Sequence, residues 1–519
     1  MSQGPIFNLV LRDERFDGYF TASDYLRARL DKIRAERKER GETNVQPTFA
    51  DIAQSHLVYI RGTYRPYVAT ASEYVRVKPY GDATGSIGAA GGTLVFNFPI
   101  YGHFTSDILL HVRLAAVGTA APGAVPSPAT PYLRYCAFPG LRALRNVSLK
   151  SASTVVDEYS RDDAVAWSKH FVGADAQEGW ARCLGQQERK VASYFSGTFT
   201  GLLNYSDGPQ TPKLLQPALD LFIPLQFWFC LDADQALLND LIPNTQRTIT
   251  CELAPLGELV QALVPGVGPS SDLLVPAPLP FSRLKLEAVA LYVNNLFVNP
   301  EIHDIFASRI GFSLIRVHRH QTTAIQNIED RVLLDQLKFP IEYLLVGLRA
   351  RANALSFDHW WLMGRAPAFT DATALMIPAM IWNPNVGQCQ LVCREGVPVS
   401  TLDSFTSHLG LTAHGIPIFP LLPAGFYNAY LPLRFQGGDK AIAVSPADSS
   451  AYLVTLCLYP GMFNPSGYYN LSAGRELYLN YRLKGSPADI PGQAEVVVLG
   501  SALNFLIRKA DVFALKYAM

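Results

Sequence analysis

From about residue 47 onward the chain is written in short runs of alternating apolar and polar side chains, separated by Gly, Pro, Asn and Asp. In RTITCEL (247–253), Ile249, Cys251 and Leu253 fall on one side and Thr248, Thr250 and Glu252 on the other. In ELYLNYRL (476–483), Leu477, Leu479, Tyr481 and Leu483 share a side, and 94–98 and 284–290 repeat the pattern. A period of two is that of a strand with one face in a core and the other toward solvent or a neighbour. Antiparallel sandwiches and barrels are made of such strands, whereas parallel strands are covered on both faces. Helical periodicity is scarce. The best examples are 160–171 and 300–309, the second with Asn299 as cap, Pro300 in the first turn and Gly311 past the end. A third and strongly charged helix is expected over 23–40, capped by Ser23 and ended by Gly41. Regular strand–helix alternation is missing, which argues against a parallel α/β sheet.

The fold class expected is therefore all-β, with long loops and a few short helices. A chain of 519 residues exceeds what one core usually supports. Pro and Gly crowd 263–280 (LVPGVGPSSDLLVPAPLP), a composition that suits an extended connector better than a ladder. The division predicted is an N-terminal arm over 1–45, a first strand-rich half over 46–262, a linker over 263–280 and a second half over 281–519. No sequence repeat relates the two halves.

Composition narrows the function. Hydrophobic residues are 49% and charged ones 17%, the mixture of a chain that buries much surface. With 44 basic and 44 acidic residues, no excess positive charge exists to bind a phosphate backbone, so direct contact with nucleic acid is not expected. The 23–40 segment is the exception, with seven basic residues against four acidic ones. It reads as a solvated arm helix, or as an arm reaching an inner layer. Seven cysteines (Cys136, Cys183, Cys230, Cys251, Cys389, Cys393 and Cys457) are odd in number and sparse, which suits buried free thiols in a reducing compartment. The opening MSQGPIFNLVLRDERFDGYF lacks the pattern of a signal peptide. No run of ~18 apolar residues occurs, so a soluble cytoplasmic product is expected.

Several motifs invite a chemical reading, and each has a plainer one. Gly85, Gly88 and Gly91 superficially resemble a phosphate-cradling loop, but a strand pattern follows them where a helix is required. A hairpin loop is expected. His318 and His320, two apart in a strand, share a face that could offer two metal ligands, with no third supplied; a surface pair is expected. Cys389 and Cys393 lack partners at zinc spacing. Asp358, His359, Trp360 and Trp361 form the most enzyme-like cluster. Adjacent Asp and His rarely align as orienter and base, and no nucleophile elbow is present, so a packed loop with aromatic anchors is expected. Asn146, Asn204 and Asn470 match the glycan acceptor pattern by chance occurrence. No catalytic, cofactor or metal site is expected, and the chain is read as a non-enzyme.

Longer strings carry a resemblance. Residues 291–318, LYVNNLFVNPEIHDIFASRIGFSLIRVH, are similar to the major capsid proteins of large nucleocytoplasmic DNA viruses, of the African swine fever virus type. PIEYLLVGL (340–348), LTAHGI (411–416) and PSGYYNLSAGRELY (465–478) continue it. YCAFPG (135–140), DEYS (157–160), GPQTPK (208–213) and FWF (227–229) belong to it in the first half. The resemblance implies two tandem jelly-roll β-barrels, a double jelly roll, in each chain. It implies homotrimers of pseudo-hexagonal outline, which tile an icosahedral virion shell assembled in the host cytoplasm. Its implied partners are further copies, minor capsid and penton proteins, and the inner virion membrane or its proteins through the arm. The segment 185–204 is shorter than the family pattern implies, so a lower outward crown is expected. Adhesive loops are expected at 115–132, 185–207, 352–370 and 421–447. The competing readings from residues alone are a β-sandwich carbohydrate-binding protein and a glycoside hydrolase, the latter requiring two carboxylates roughly 5–9 Å apart in a cleft.

Overall fold

In a computed structural model of the chain, the residues described up to 309 are 23–46, 70–80, 85–118, 131–152, 154–186, 189–191, 203–205, 208–242, 247–265 and 274–309. Beyond them are 312–364, 376–383, 388–395, 404–436, 443–446, 448–462, 464–471, 476–487, 490, 493–509 and 512–517.

Alternation builds two facing sheets from the first half. The principal strands are β1 (Thr70–Val77), β2 (Gly92–Asn97), β3 (Phe104–Leu114), β4 (Leu144–Ser151), β5 (Thr154–Ser160), β6 (Leu219–Pro224), β7 (Arg247–Leu253) and β8 (Leu284–Val298), with short strands such as Ser86–Ile87 and Leu237–Leu238 added at their margins. One sheet runs β1-β8-β3-β6 and the other β2-β7-β4-β5, all pairs antiparallel. The expected inward set of β7, Ile249, Cys251 and Leu253, is buried between them with Leu110, Val112 and Phe96.

The second half repeats the plan. Its principal strands are β9 (Phe312–Ile325), β10 (Glu329–Leu333), β11 (Pro340–Ala350), β12 (Thr406–Ala413), β13 (Ile416–Pro423), β14 (Ala451–Thr455), β15 (Leu477–Leu483) and β16 (Ala494–Lys509), beside a separate hairpin of Met376–Asn383 with Gln388–Glu395. They form sheets β9-β16-β11-β14 and β10-β15-β12-β13. Adding eight to every strand of the first half gives the order of the second. Each half is therefore a jelly roll with the same winding, although no repeat is visible in sequence. Leu477, Leu479, Tyr481 and Leu483 point into the second core as their spacing required.

Helices are few. Those that bear on the seam and the arm are α1 (Ser23–Glu39), α2 (Arg161–Phe171), α3 (Pro300–Arg309) and α4 (Leu431–Gln436), beside shorter ones such as Pro139–Ala143 and Gln177–Cys183. Ser160 caps α2 in a reciprocal box: its hydroxyl accepts from the Asp163 amide, and the Asp163 carboxylate accepts from the Ser160 amide. The Asn299 side chain accepts from the Glu301 amide at 3.0 Å and starts α3. Among the described residues no helix is long and apolar enough to cross a membrane.

The halves divide later than expected. β8 was assigned to the second half, yet it pairs with β1 and β3 and completes the first barrel. The linker expected at 263–280 is partly a hairpin, because Val260–Pro265 pairs with Leu274–Ala277 and with Tyr132–Tyr135. Leu274–Ala277 lies at the edge of this small sheet, where a proline such as Pro276 costs no central ladder bond. The passage between barrels runs through α3. The glycine-rich loop is the hairpin expected: Gly88 and Gly91 bridge, and Gly91 has φ +86°. A side chain at Gly91 would also collide with the Leu253 carbonyl oxygen.

Candidate functional site at the seam between the two barrels

β11 decides where the halves meet. Every one of its residues is buried, which for a barrel strand means both faces are covered. Leu344, Val346 and Leu348 face the second core, while Tyr343 and Leu345 join Leu453 and Leu499 on the outer face of the sheet. Onto that face α2 of the first barrel lays Ala166, with Trp167 and Phe171 beside it. The helix is built for this position, since Ala164 and Val165 on its other side enter the main core.

Buried ion pairs ring the apolar contact. Arg349, at the end of β11, makes a two-pronged contact to Asp162 of α2 at 2.8 Å on both prongs, and its Nε donates to Glu495 of β16 at 2.5 Å. Lys169 of α2 meets Asp448 at 2.5 Å. Arg316 of β9 holds Glu342 at 2.6 Å and donates to Gln235 of the first barrel at 2.9 Å. Burial lifts the Glu342 carboxyl above its ordinary value, with Arg316 opposing. For Asp162, burial works against the charge and the Arg349 guanidinium overcomes it, so its pKa is lowered. Planar, two-pronged Arg–carboxylate pairs fix direction as well as distance.

The histidine pair sits in this seam and not on the surface. His318 and His320 do share a face, but that face is turned to β5 and α2. The His318 ring lies 3.0 Å from Asp157, whose other oxygen accepts from the His318 amide at 2.8 Å. His320 faces Asp163 at 3.5 Å and stays half exposed. The alternation that put both rings on one side was legible; the neighbouring barrel that covers them was not.

Burial opposes charge on His318, and the Asp157 carboxylate outweighs it, so the folded pKa lies above 6.5. This pair therefore stabilises fully below pH 6.5, and its contribution is lost as pH rises through the raised value. Asp157→Asn should lower stability by about 1–3 kcal/mol at pH 6 and by less at pH 9. Urea unfolding at both pH values measures this, and equal losses would refute the assignment.

The Asp358–Trp361 cluster is a packed anchor, as its composition suggested. Trp360 is buried and donates to the Ala137 carbonyl of the first barrel at 2.7 Å. Asp358 takes both prongs of Arg134 at 3.0 and 2.9 Å, and Arg142 donates to the Ser356 carbonyl at 3.0 Å. The adhesive loop expected over 352–370 thus grips its own chain through its described part. Cys136, Cys251 and Cys457 are buried free thiols, and burial pushes Cys136 and Cys251 up to about 12. The side chains of Cys389 and Cys393 lie outside the described residues, as does that of Asn204. Asn146 is half-buried and bonded to Glu158. Among the described residues no cluster of three metal-ligating side chains forms.

Comparison with known proteins agrees with this architecture. No family model matches the chain. The hexon protein p72 of African swine fever virus strain Badajoz is 26% identical, with all of both chains covered. The same figures hold for the major capsid protein of the Kenyan isolate KEN-50. The alignment spans 663 positions against 519 residues here, so at least 144 positions of the relative face gaps. A Faustovirus major capsid protein superposes with a TM-score of 0.65 at 24% identity, over 96% of this chain and 100% of its own. The VP54 protein of the virus PBCV-1 does so with a TM-score of 0.59 at 16% identity, over 89% and 100%. Neither the carbohydrate-binding nor the glycosidase reading finds support among these relatives. Two jelly rolls of identical winding, clamped side by side, and full-length similarity to the capsid subunits of African swine fever virus make the chain a viral major capsid protein, a structural component of the virion.

Proposed function

We propose that three copies close into a homotrimeric capsomer of pseudo-hexagonal outline, and that these capsomers tile an icosahedral shell without performing catalysis. The observation that carries this reading is the duplicated strand order, β1–β8 repeated as β9–β16. Three chains then present six similar barrels, a number suited to a hexagonal footprint. The seam supports it, because ion pairs that hold the two barrels at one angle keep the subunit rigid under lattice contacts. Lattice partners are further trimers, minor capsid proteins and penton proteins. The arm with α1, exposed along most of its described residues, faces the inner membrane or its proteins. The 185–204 segment, expected to give a lower outward crown, lies mostly outside the described residues.

Sedimentation and native mass measurement of the purified chain test the reading. A trimer is expected at micromolar concentration, and removal of residues 1–45 should leave it intact while weakening attachment to membrane. A stable monomer would overturn the capsomer; loss of the trimer on truncation would make the arm an interface element instead.

A further inference from the structure

One end of the first barrel carries a pair of stacked histidines that the seam does not use. Three pieces of chain meet there. β1 begins at Thr70, where the N-terminal arm enters the fold, and Thr70 pairs with Val298, the last residue of β8. Two residues further on, Pro300 opens α3, the passage to the second barrel. Gly102 and His103 lead into β3 beside them. Among the described residues, Ala71 and Phe297 pack as a pair apart from the main cores. A corner held by so few apolar contacts opens more readily than the cores do.

His103 ties the three pieces together. Its amide donates to the Leu296 carbonyl at 3.0 Å, and its carbonyl accepts from the Asn239 amide at 2.9 Å. Its ring nitrogen Nδ1 accepts from the Val298 amide at 3.0 Å. A backbone amide only donates, so Nδ1 carries no proton and the ring is neutral. The His303 ring of α3 stacks on it, with centroids 4.3 Å apart and planes 25° from parallel. His303 is buried, and its Nε2 lies 3.2 Å from Asp240 in the turn Asn239–Leu241. Phe297 meets the His103 ring edge-on, and Phe104 meets that of His303 in the same way.

The charges around this stack come from few places. Asp240 faces it from the turn, and Asp304 of α3 lies 3.5 Å from the His303 Nδ1. Beside Asp240 the buried Arg247 of β7 donates to the Asn239 side chain at 2.9 Å. β3 and β8 contribute the uncharged Phe104 and Phe297. Burial first, and then the neighbouring His303 ring, lower the pKa of His103, with Asp240 and Asp304 opposing. The stability lent by the neutral ring is therefore complete above pH 6.5 and is lost as pH falls toward the lowered value.

We infer that His103 and His303 form an acid-sensitive latch, which holds the arm's root and the passage helix to the first barrel while His103 is neutral and releases them when it is protonated. The proton enters at Nδ1, the nitrogen that the Val298 amide already occupies. Its arrival turns an acceptor into a second donor facing that amide, so the bond is lost. It also sets a cation against the stacked His303 ring. The seam ion pairs lie elsewhere, on α2, β9 and β11, so the opening is local. The latch belongs to the single chain and operates whether or not three copies close into a ring.

Amide exchange of the full chain, read by mass spectrometry and corrected for the intrinsic pH dependence of exchange, tests the latch. A released ring titrates near 6.5, so lowering the pH from 7.5 to 5.5 favours opening by about tenfold at most. Peptides covering 70–72 and 297–304 should quicken by several-fold, up to that limit, while the middle of β3 and of β8 stays protected. Local exchange is the readout because the buried His170 also titrates below pH 6.5. In His103→Asn the side-chain oxygen replaces Nδ1 as acceptor and takes no proton, so its corrected rates should be the same at both pH values. His303→Phe keeps a ring in the stack and removes the neighbour that lowers the His103 pKa, so the acid response should persist with its midpoint moved to higher pH. An unmodified chain that shows no acceleration at these peptides, or a His103→Asn chain that accelerates as fully, would overturn the latch. A His303→Phe midpoint that stays in place would overturn the pairing of the two rings.

Discussion

Arg349→Ala should lower the free energy of unfolding by about 3–5 kcal/mol, the usual cost of stripping one partner from a buried ion pair. Two carboxylates depend on this guanidinium, Asp162 from the first barrel and Glu495 from the second, at 2.8 and 2.5 Å. Their side chains are 28% and 16% exposed, so water recovers only part of the lost interaction. The loss should also be located: amide exchange should quicken in α2 and along β11, with the inner strands of both barrels protected. Arg349→Met is the informative companion. It restores the packed volume and still leaves two unpaired carboxylates, so it should recover little. A cycle with Asp162→Asn would then show a coupling near 2 kcal/mol. Additive losses would mean that Arg349 does not clamp the barrels together.

How much of this was readable in the chain follows from where the signal lies. β7 and β15 alternate because one face of each meets a core and the other does not, so their inward residues were fixed by spacing alone. The capped helices at 161–171 and 300–309 were likewise local, written in Ser160, Asn299 and Pro300. The seam was not local. Asp157, Asp162, Asp163 and Lys169 look like ordinary polar residues of a strand end and a helix, and nothing nearby says that a second barrel covers them. One clue was available: Glu342 and Arg349 interrupt PIEYLLVGLRA, whose otherwise apolar run marks a strand buried on both faces. A charge in such a strand requires a partner, and both partners lie across sheets or barrels. The linker was misplaced for a related reason. Proline density marks reluctance to form central ladders, yet Leu274–Ala277 pairs at a sheet edge, where proline is tolerated. The two jelly rolls implied by the resemblance left no sequence repeat, because winding is conserved here through register and hardly through residue identity.

Asp448→Asn should cost about as much as losing Arg349, about 3–5 kcal/mol, for a different reason. One oxygen of this carboxylate accepts from the Lys169 ammonium at 2.5 Å and the Met363 amide at 2.6 Å. The other accepts from the Gly364 amide at 2.9 Å and the Ser450 amide at 3.2 Å. An amide in its place must turn its NH2 toward one of these donor pairs, and Lys169, 8% exposed, loses its counter-charge. The pH dependence separates this from mere loosening. Burial opposes the charge on Asp448, and Lys169 overcomes it, holding the carboxyl below 3.8. Its contribution is therefore complete above pH 3.8 and disappears as pH falls through the lower folded value. His170, buried in the same helix, is pushed down to about 4 and erodes stability between pH 6.5 and that value. The unmodified chain should thus weaken in two stages on acidification, first through His170 and then through Asp448. Asp448→Asn should keep the first stage and show a smaller second one in urea titrations at pH 7, 5 and 3. A variant that loses the same stability at all three would show that Asp448 acts by shape alone, and the charged account of the seam would fail there.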